Sequence, residues 1–143
     1  MPKRTATAKW EGSLREGAGK IGLGSGAWEG PYSARSRFED APESNPEELL
    51  GAAHAGCFTM ALSLILGNAG HDPESLSTEA VVHLKQEDGG FAIPQIDLKV
   101  RGKVPGIDQG DFQEHAQTAK EVCPLSKALA SVPEITLDAQ LEE

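Results

Sequence analysis

Two cysteines, Cys57 and Cys123, are the residues of this 143-residue chain with the most distinctive potential chemistry. A thiolate is a nucleophile and a metal ligand, whereas a buried neutral thiol behaves as a small apolar side chain. Cys123 directly precedes Pro124, which predicts that it occupies the N-cap of a helix. A helix N-terminus lowers the pKa of a thiol and makes its sulfur a better leaving group from a disulfide. The alternative, two inert buried cysteines, stays open at this point.

Two arginines and a glutamate lie shortly before Cys57. Arg35 and Arg37 fall in a short predicted strand over 33–38 and would share one face of it, from which a guanidinium can stabilise a thiolate. A solvated surface arginine is the ordinary alternative for each. Glu47 can orient a guanidinium through a bidentate pair or simply stabilise a helix N-terminus. About 15 Å of helix rise separates Glu47 from Cys57, so it would serve that thiol only through an arginine or across an antiparallel dimer.

His54 lies three residues before Cys57, so a helix would place both side chains on one face. This spacing is compatible with a Cys–His nucleophile for acyl transfer, with half of a zinc site, or with a packed histidine. Zinc would need two further ligands. The remaining soft ligands of the chain are Cys123, His71, His83 and His115. We interpret His54 as a packed histidine and expect no metal site.

The strongest helix signal begins at Asn45, a preferred N-cap residue, with Pro46 at the first helical position and Gly67 at its end. No fixed charge occurs over residues 49–66, and apolar residues occur on all sides, which predicts a helix buried all round. The same 18 residues reach the length of a membrane span, although glycine, serine and histidine dilute their hydrophobicity. A domain of this size can hardly enclose such a helix alone, so we predict an obligate homodimer.

The remaining pattern predicts an α+β protein whose residues 1–143 form a single domain. Asp88 and two glycines signal a hairpin turn, and Pro94 marks an edge or a bulge in the returning strand. Alternating segments predict strands over 5–12, 20–24, 33–38, 75–87, 91–103 and 134–141, and further helices are predicted over 108–122 and 124–130.

The composition excludes several classes of protein. The net charge of −9 and the pI of about 4.9 argue against binding nucleic acid phosphates or anionic membranes. Two cysteines do not make a secreted disulfide scaffold, and the first seven residues lack the apolar core of a signal peptide. We therefore predict a cytoplasmic protein whose thiols start reduced.

Two motifs resemble those of a known family. Residues 45–58, NPEELLGAAHAGCF, look like the first cysteine motif of the OsmC/Ohr hydroperoxide reductases, and residues 122–126, VCPLS, look like the second. The segments 10–12, 37–39 and 104–107 resemble the osmotically inducible protein C (OsmC) branch in particular. The resemblance covers nearly the whole chain. It implies an OsmC-like α+β fold, with a long central buried helix packed against antiparallel sheets in an intertwined homodimer.

The resemblance also implies an activity and its residues. It implies a thiol-dependent peroxidase that reduces organic hydroperoxides, and hydrogen peroxide, in oxidative and osmotic stress defence. By motif, Cys57 is the peroxidatic cysteine, Cys123 is the resolving cysteine that forms a disulfide with it, and Arg37 with Glu47 is the activating pair. Active sites would lie at the subunit interface, an external thiol would reduce the disulfide, and no metal, haem or flavin is needed. Arg35 does not match a family position.

Two other classes of function stay open on the sequence. The first is a non-catalytic dimeric scaffold or binding protein in which both cysteines are buried and structural. The second is a hydrolase that uses Cys57 and His54. The reactivity of the native thiols toward alkylation separates the scaffold from an enzyme, and indifference to the loss of Cys123 would indicate the hydrolase.

Overall fold

Residues 1–142 are described by a computed structural model, and their mixture of helices and strands confirms the predicted α+β class. The chain divides into a first unit that ends at Leu49 and a second unit that begins at Leu50. The single domain over 1–143 stays a prediction, and its last residue lies outside the described part.

The first unit contains a three-stranded antiparallel sheet in which each strand pairs with the next. The first strand was predicted from its alternation and the second as a glycine-rich strand, whereas the third was not predicted. Trp10 on the first strand meets Tyr32 on the third edge to face, with ring centroids 5.3 Å apart. The strands and the short helix that follows are β1 Ala6–Glu11, β2 Ala18–Leu23, β3 Glu29–Tyr32 and α1 Ala34–Phe38.

The strand predicted over 33–38 is wrong, because these residues form helix α1. Ser33 is its N-cap: its hydroxyl accepts from the Ser36 backbone N–H, and the Ser36 hydroxyl accepts from the Ser33 backbone N–H. This reciprocal capping satisfies two otherwise unpaired donors and stabilises one helical turn. Arg35 and Arg37 consequently point to different sides of a helix instead of one face of a strand.

Helix α2, Pro46–Asn68, confirms the predicted long helix and extends it by two residues. The Asn45 side chain accepts from the Glu48 backbone N–H at 2.8 Å, as expected of an N-cap. At the other end Gly70 has a φ of +87° and donates to Gly67 O, while His71 donates to Leu66 O. These two bonds form a Schellman motif, which requires a residue that tolerates positive φ.

Only one face of α2 is buried in the single chain. His54, Phe58, Leu62 and Leu66, spaced four apart, have no exposed surface. On the opposite side Met60 and Leu64 are 77% and 63% exposed. One copy of the chain therefore does not enclose α2, as expected for a domain of this size, and burial on all sides by a second copy stays a prediction. By length and composition alone α2 also qualifies as a membrane span, which is weak evidence because its buried face belongs to the hydrophobic core.

The second unit is built on a three-stranded sheet that carries the core. Ile96, Leu98 and Val100 of its central strand are fully buried, as their alternation predicted. Pro94 lies at the irregularity where the pairing register shifts opposite His83 and Lys85, which confirms the predicted bulge. The elements after α2 are β4 Ser75–Glu87, β5 Gly90–Lys103, α3 Gln109–Val122, α4 Pro124–Ala128 and β6 Glu134–Leu141.

The strand β6 departs from the expected antiparallel arrangement. It pairs with β5 in parallel, whereas β4 and β5 form an antiparallel hairpin. A parallel neighbour needs a crossover connection, which α3 and α4 supply. This crossover returns the chain through α4 and therefore decides where Cys123 lies.

Candidate active site

The two cysteines meet in the second unit. The Cys57 and Cys123 sulfurs are 3.0 Å apart and joined by a hydrogen bond, and both cysteines are free. Cys57 is half-buried in the middle of α2, whereas Cys123 is fully buried between α3 and α4. The tertiary contact between the two thiols is close enough for direct sulfur chemistry.

Cys123 is held by the junction of two helices. Its backbone N–H donates to Ala119 O and ends α3, and Pro124 then begins α4. Because proline disfavours helical backbone at the residue before it, the chain turns at Cys123. The predicted N-cap position is confirmed, but the sulfur makes no capping hydrogen bond and contacts Cys57 instead.

The surroundings of Cys57 favour the neutral thiol in the described chain. Burial raises the pKa of Cys57, and the hydrogen bond shared with Cys123 raises it further. A hydrogen bond from the Leu125 backbone acts in the opposite direction by stabilising the thiolate. An ionised Cys57 therefore requires additional stabilisation, which is the role that the sequence assigned to Arg37.

Arg37 and Glu47 form a bidentate ion pair in the first unit. Arg37 Nε donates to Glu47 Oε1 and Arg37 Nη2 donates to Oε2, each at 3.1 Å. Arg37 ends α1 and Glu47 lies in the first turn of α2. The Glu47 side chain is 11% exposed and that of Arg37 is 41% exposed. The pair therefore fixes the guanidinium while leaving part of it accessible.

His54 is bonded to a residue that the sequence analysis did not select. Its Nε2 lies 2.8 Å from Ser126 Oγ, and its Nδ1 is buried with no hydrogen-bond partner among residues 1–142. Burial lowers the pKa of His54, so the ring is neutral near pH 7. The recorded hydrogen bonds of His54 do not include Cys57, which gives the Cys–His nucleophile no support. Within the same residues, no group of three or more His, Cys, Asp or Glu side chains is arranged to hold a metal ion.

Comparisons with known proteins agree with these motifs. A family described as OsmC-like protein matches residues 39–138. This chain belongs to the OsmC-like family. It is 50% identical over 136 residues to Peroxiredoxin OsmC of Escherichia coli K12, covering 94% of each chain. It is also 34% identical over 98 residues to an organic hydroperoxide resistance protein of Xanthomonas axonopodis pv. citri, covering 66% of this chain and 65% of the relative.

A solved structure supports the same fold. The organic hydroperoxide resistance protein of Elizabethkingia anophelis, crystallised with thiocyanate bound, matches with a TM-score of 0.78 and 26% identity over 96% of each chain. The OsmC-like fold implied by the sequence is thereby confirmed. Like the relatives named above, this OsmC-like protein is an enzyme of the thiol-dependent peroxidase class.

The structure of this OsmC-like protein brings the predicted residues together in two pairs. Cys57 meets Cys123, and Arg37 meets Glu47, whereas the Arg35 side chain makes no recorded ion pair in the described part of the chain. Ser126 was missed by the sequence analysis. The signal for it was present, because Ser126 follows Cys123 at the same interval of three at which His54 precedes Cys57.

Proposed function

We propose that this OsmC-like protein reduces organic hydroperoxides, and hydrogen peroxide, to alcohols or water through a Cys57 sulfenic acid and a Cys57–Cys123 disulfide. The observation that carries the proposal is the 3.0 Å approach of two free sulfurs that lie 66 residues apart in sequence. Oxidative and osmotic stress defence is the setting that we propose for this activity, and the cytoplasmic location stays a prediction.

The first step consumes the peroxide. The Cys57 thiolate attacks one peroxide oxygen, the O–O bond breaks, and an alcohol leaves after taking up a proton. The product at Cys57 is a sulfenic acid, so the sulfur has given two electrons to the substrate. In this proposal Arg37 stabilises the thiolate and the negative charge that develops on the oxygens, and Glu47 holds the guanidinium in position.

The second step protects and recycles the sulfur. Cys123 attacks the sulfenic sulfur of Cys57, the S–O bond breaks, and water leaves as the disulfide forms. An external thiol then reduces this disulfide and restores both cysteines. Thiol chemistry carries all the electrons in this scheme.

We also propose that the enzyme is a homodimer with its active sites at the subunit interface. The observation in favour is the exposed apolar face of α2, with Met60 77% and Leu64 63% exposed in the single chain. Large exposed apolar side chains on one helix are typical of an interface.

Intact-protein mass spectrometry tests the proposed function directly. One equivalent of cumene hydroperoxide should remove two hydrogens from each chain, and digestion should then yield a peptide pair linked through Cys57 and Cys123. Cys123→Ser should stop at a sulfenic acid that dimedone traps. An unchanged mass, or a disulfide that does not involve Cys57, would contradict the proposal.

Two observations favour a structural, non-catalytic role for the cysteines. Cys123 is buried, and the pKa of Cys57 is raised. That role predicts thiols that resist alkylation in the native protein. Rapid alkylation of Cys57 by iodoacetamide at neutral pH, lost after prior treatment with cumene hydroperoxide, would exclude it.

A further inference from the structure

We infer that His54 and Ser126 are positioning residues, which keep α4 and its N-cap Cys123 in register with Cys57 while the disulfide closes. This inference rests on the proposed two-cysteine mechanism. It starts from the hydrogen bond between His54 Nε2 and Ser126 Oγ, 2.8 Å long, which joins α2 to α4 beside the sulfur pair.

Three polar contacts join α2 to the segment that begins at Cys123. Cys57 accounts for two of them, because its sulfur meets the Cys123 sulfur and the Leu125 backbone. Both of these contacts change when Cys57 is oxidised, since the reacting sulfur then carries an oxygen. The bond between His54 and Ser126 uses no reacting atom, so the oxidation of Cys57 does not itself require this bond to break.

The spacing of the four residues explains how this bond sets the register. His54 and Cys57 are three residues apart on α2, and Cys123 and Ser126 are three residues apart at the start of α4. Residues at that interval lie on one side of a helix. Because His54 pairs with Ser126 and Cys57 pairs with Cys123, the two segments run in opposite directions. The hydrogen bond therefore lies about one helical turn from the sulfurs and fixes both rotation and sliding of α4.

The histidine is retained at an energetic cost. Its Nδ1 is the one buried side-chain polar atom in residues 1–142 without a hydrogen-bond partner. An unpaired lone pair is less costly than an unpaired N–H, which places the proton on Nε2, where it is donated to Ser126 Oγ. An apolar side chain would avoid this cost in the core. A buried polar atom without a hydrogen-bond partner is expected where function requires a particular residue.

The disulfide-forming step, for which the two helices must be aligned, requires no chemical group besides the two cysteines. The Cys123 sulfur attacks the sulfur of the Cys57 sulfenic acid, the S–S bond forms, and the S–O bond breaks. The departing hydroxide takes the proton of the Cys123 thiol and leaves as water. Such a reaction between two positioned groups is sensitive to displacements of about 1 Å.

Stopped-flow oxidation with cumene hydroperoxide, followed by dimedone trapping and intact mass, separates the two steps. Ser126→Ala should form the Cys57 sulfenic acid at the wild-type rate and close the disulfide about tenfold more slowly. The trapped sulfenic acid should rise accordingly. His54→Gln, with Ser126 intact, retains a hydrogen-bonding group toward the Ser126 hydroxyl and should slow closure less than Ser126→Ala does.

Thr78→Val is the matched control, because it removes another hydroxyl hydrogen bond of α2, the 2.6 Å contact from Thr59 to Thr78, without involving α4. It should leave the closure rate unchanged. If Ser126→Ala does not fold, the double variant His54→Leu with Ser126→Ala takes its place, since it removes both polar partners together. Wild-type closure rates in the folded variants, or equal slowing in Thr78→Val, would overturn the inference. A wild-type protein that forms no disulfide would instead overturn the proposed function.

Discussion

The sulfur pair of the second unit favours a neutral thiol at Cys57, whereas the ion pair of the first unit holds charged side chains. Burial and the hydrogen bond shared with Cys123 raise the pKa of Cys57, so its thiol is favoured as a neutral group. Arg37 keeps 41% of its side chain exposed and donates two hydrogen bonds to a carboxylate, so it stays a cation. The comparison teaches that the proposed nucleophile and its proposed activating charge are built by separate local structures. Each can therefore be removed without dismantling the other.

Removing the proposed nucleophile should have the largest effect. Cys57→Ser should lower turnover of cumene hydroperoxide by about a thousandfold or more, because a hydroxyl cannot replace the thiolate. Peroxide consumption with a dithiol as reductant measures the loss. Cys123→Ser is the control, and it should still allow one oxidation per chain. Turnover near the wild-type level in Cys57→Ser would show that Cys57 is not the peroxidatic residue.

Removing the cation should have the next largest effect. Arg37→Ala should slow the first oxidation by about a hundredfold, because the developing negative charge loses its donor. If Arg37 stabilises the thiolate as proposed, the substitution should also raise the pKa of Cys57. The rate of alkylation against pH measures this shift, which should move toward higher pH. Arg35→Ala is the matched control, and an equal effect in both variants would remove the distinction between the two arginines.

Weakening the ion pair should have a smaller effect than removing its cation. Glu47→Gln keeps the size of the side chain but leaves one fewer acceptor for the Arg37 guanidinium. The arginine stays charged but is held less firmly, so we expect the first oxidation to slow by about tenfold. The rate of sulfenic acid formation at saturating dimedone checks this. A loss as large as that of Arg37→Ala would mean that Glu47 does more than position the arginine.

A charged group of the second unit, the Asp97 carboxylate, should affect acid stability, and this is the smallest effect that we expect. Hydrogen bonds from Thr136, Gln95 and His83 lower the pKa of Asp97 to about 2. Because the folded-state pKa lies below the unfolded value of about 3.9, this carboxylate stabilises the fold above that value. The stabilisation, about 1 to 2 kcal/mol, should be lost as the pH falls from about 4 toward 2.

Urea unfolding of the wild type and of Asp97→Asn between pH 5 and pH 2 measures this contribution. The difference in free energy of unfolding should be largest at pH 5 and should shrink as the pH falls. A difference that does not depend on pH would show that the hydrogen bonds of Asp97 do not require its charge.

Local sequence determined the elements whose stabilising contacts lie within a few residues. The caps at Asn45 and Asp108 begin α2 and α3 where predicted, because each side chain bonds a backbone N–H three residues on. Alternation correctly identified β4, β5 and β6. The same local logic failed at Ser33, where two serine hydroxyls cap a helix in a segment that alternates like a strand.

The family motifs named all four candidate site residues, but the sequence alone left the cysteine contact and the faces of α2 undecided. Only the tertiary structure brings Cys57 to Cys123, because the crossover that makes β6 parallel to β5 determines where α4 lies. It alone shows that α2 is buried on one side and that Ser126 is the partner of His54. The physical reason is that caps and alternation act over a few residues, whereas these contacts join residues up to 72 apart. Contacts at that distance depend on the path of the whole chain, which local preferences do not specify.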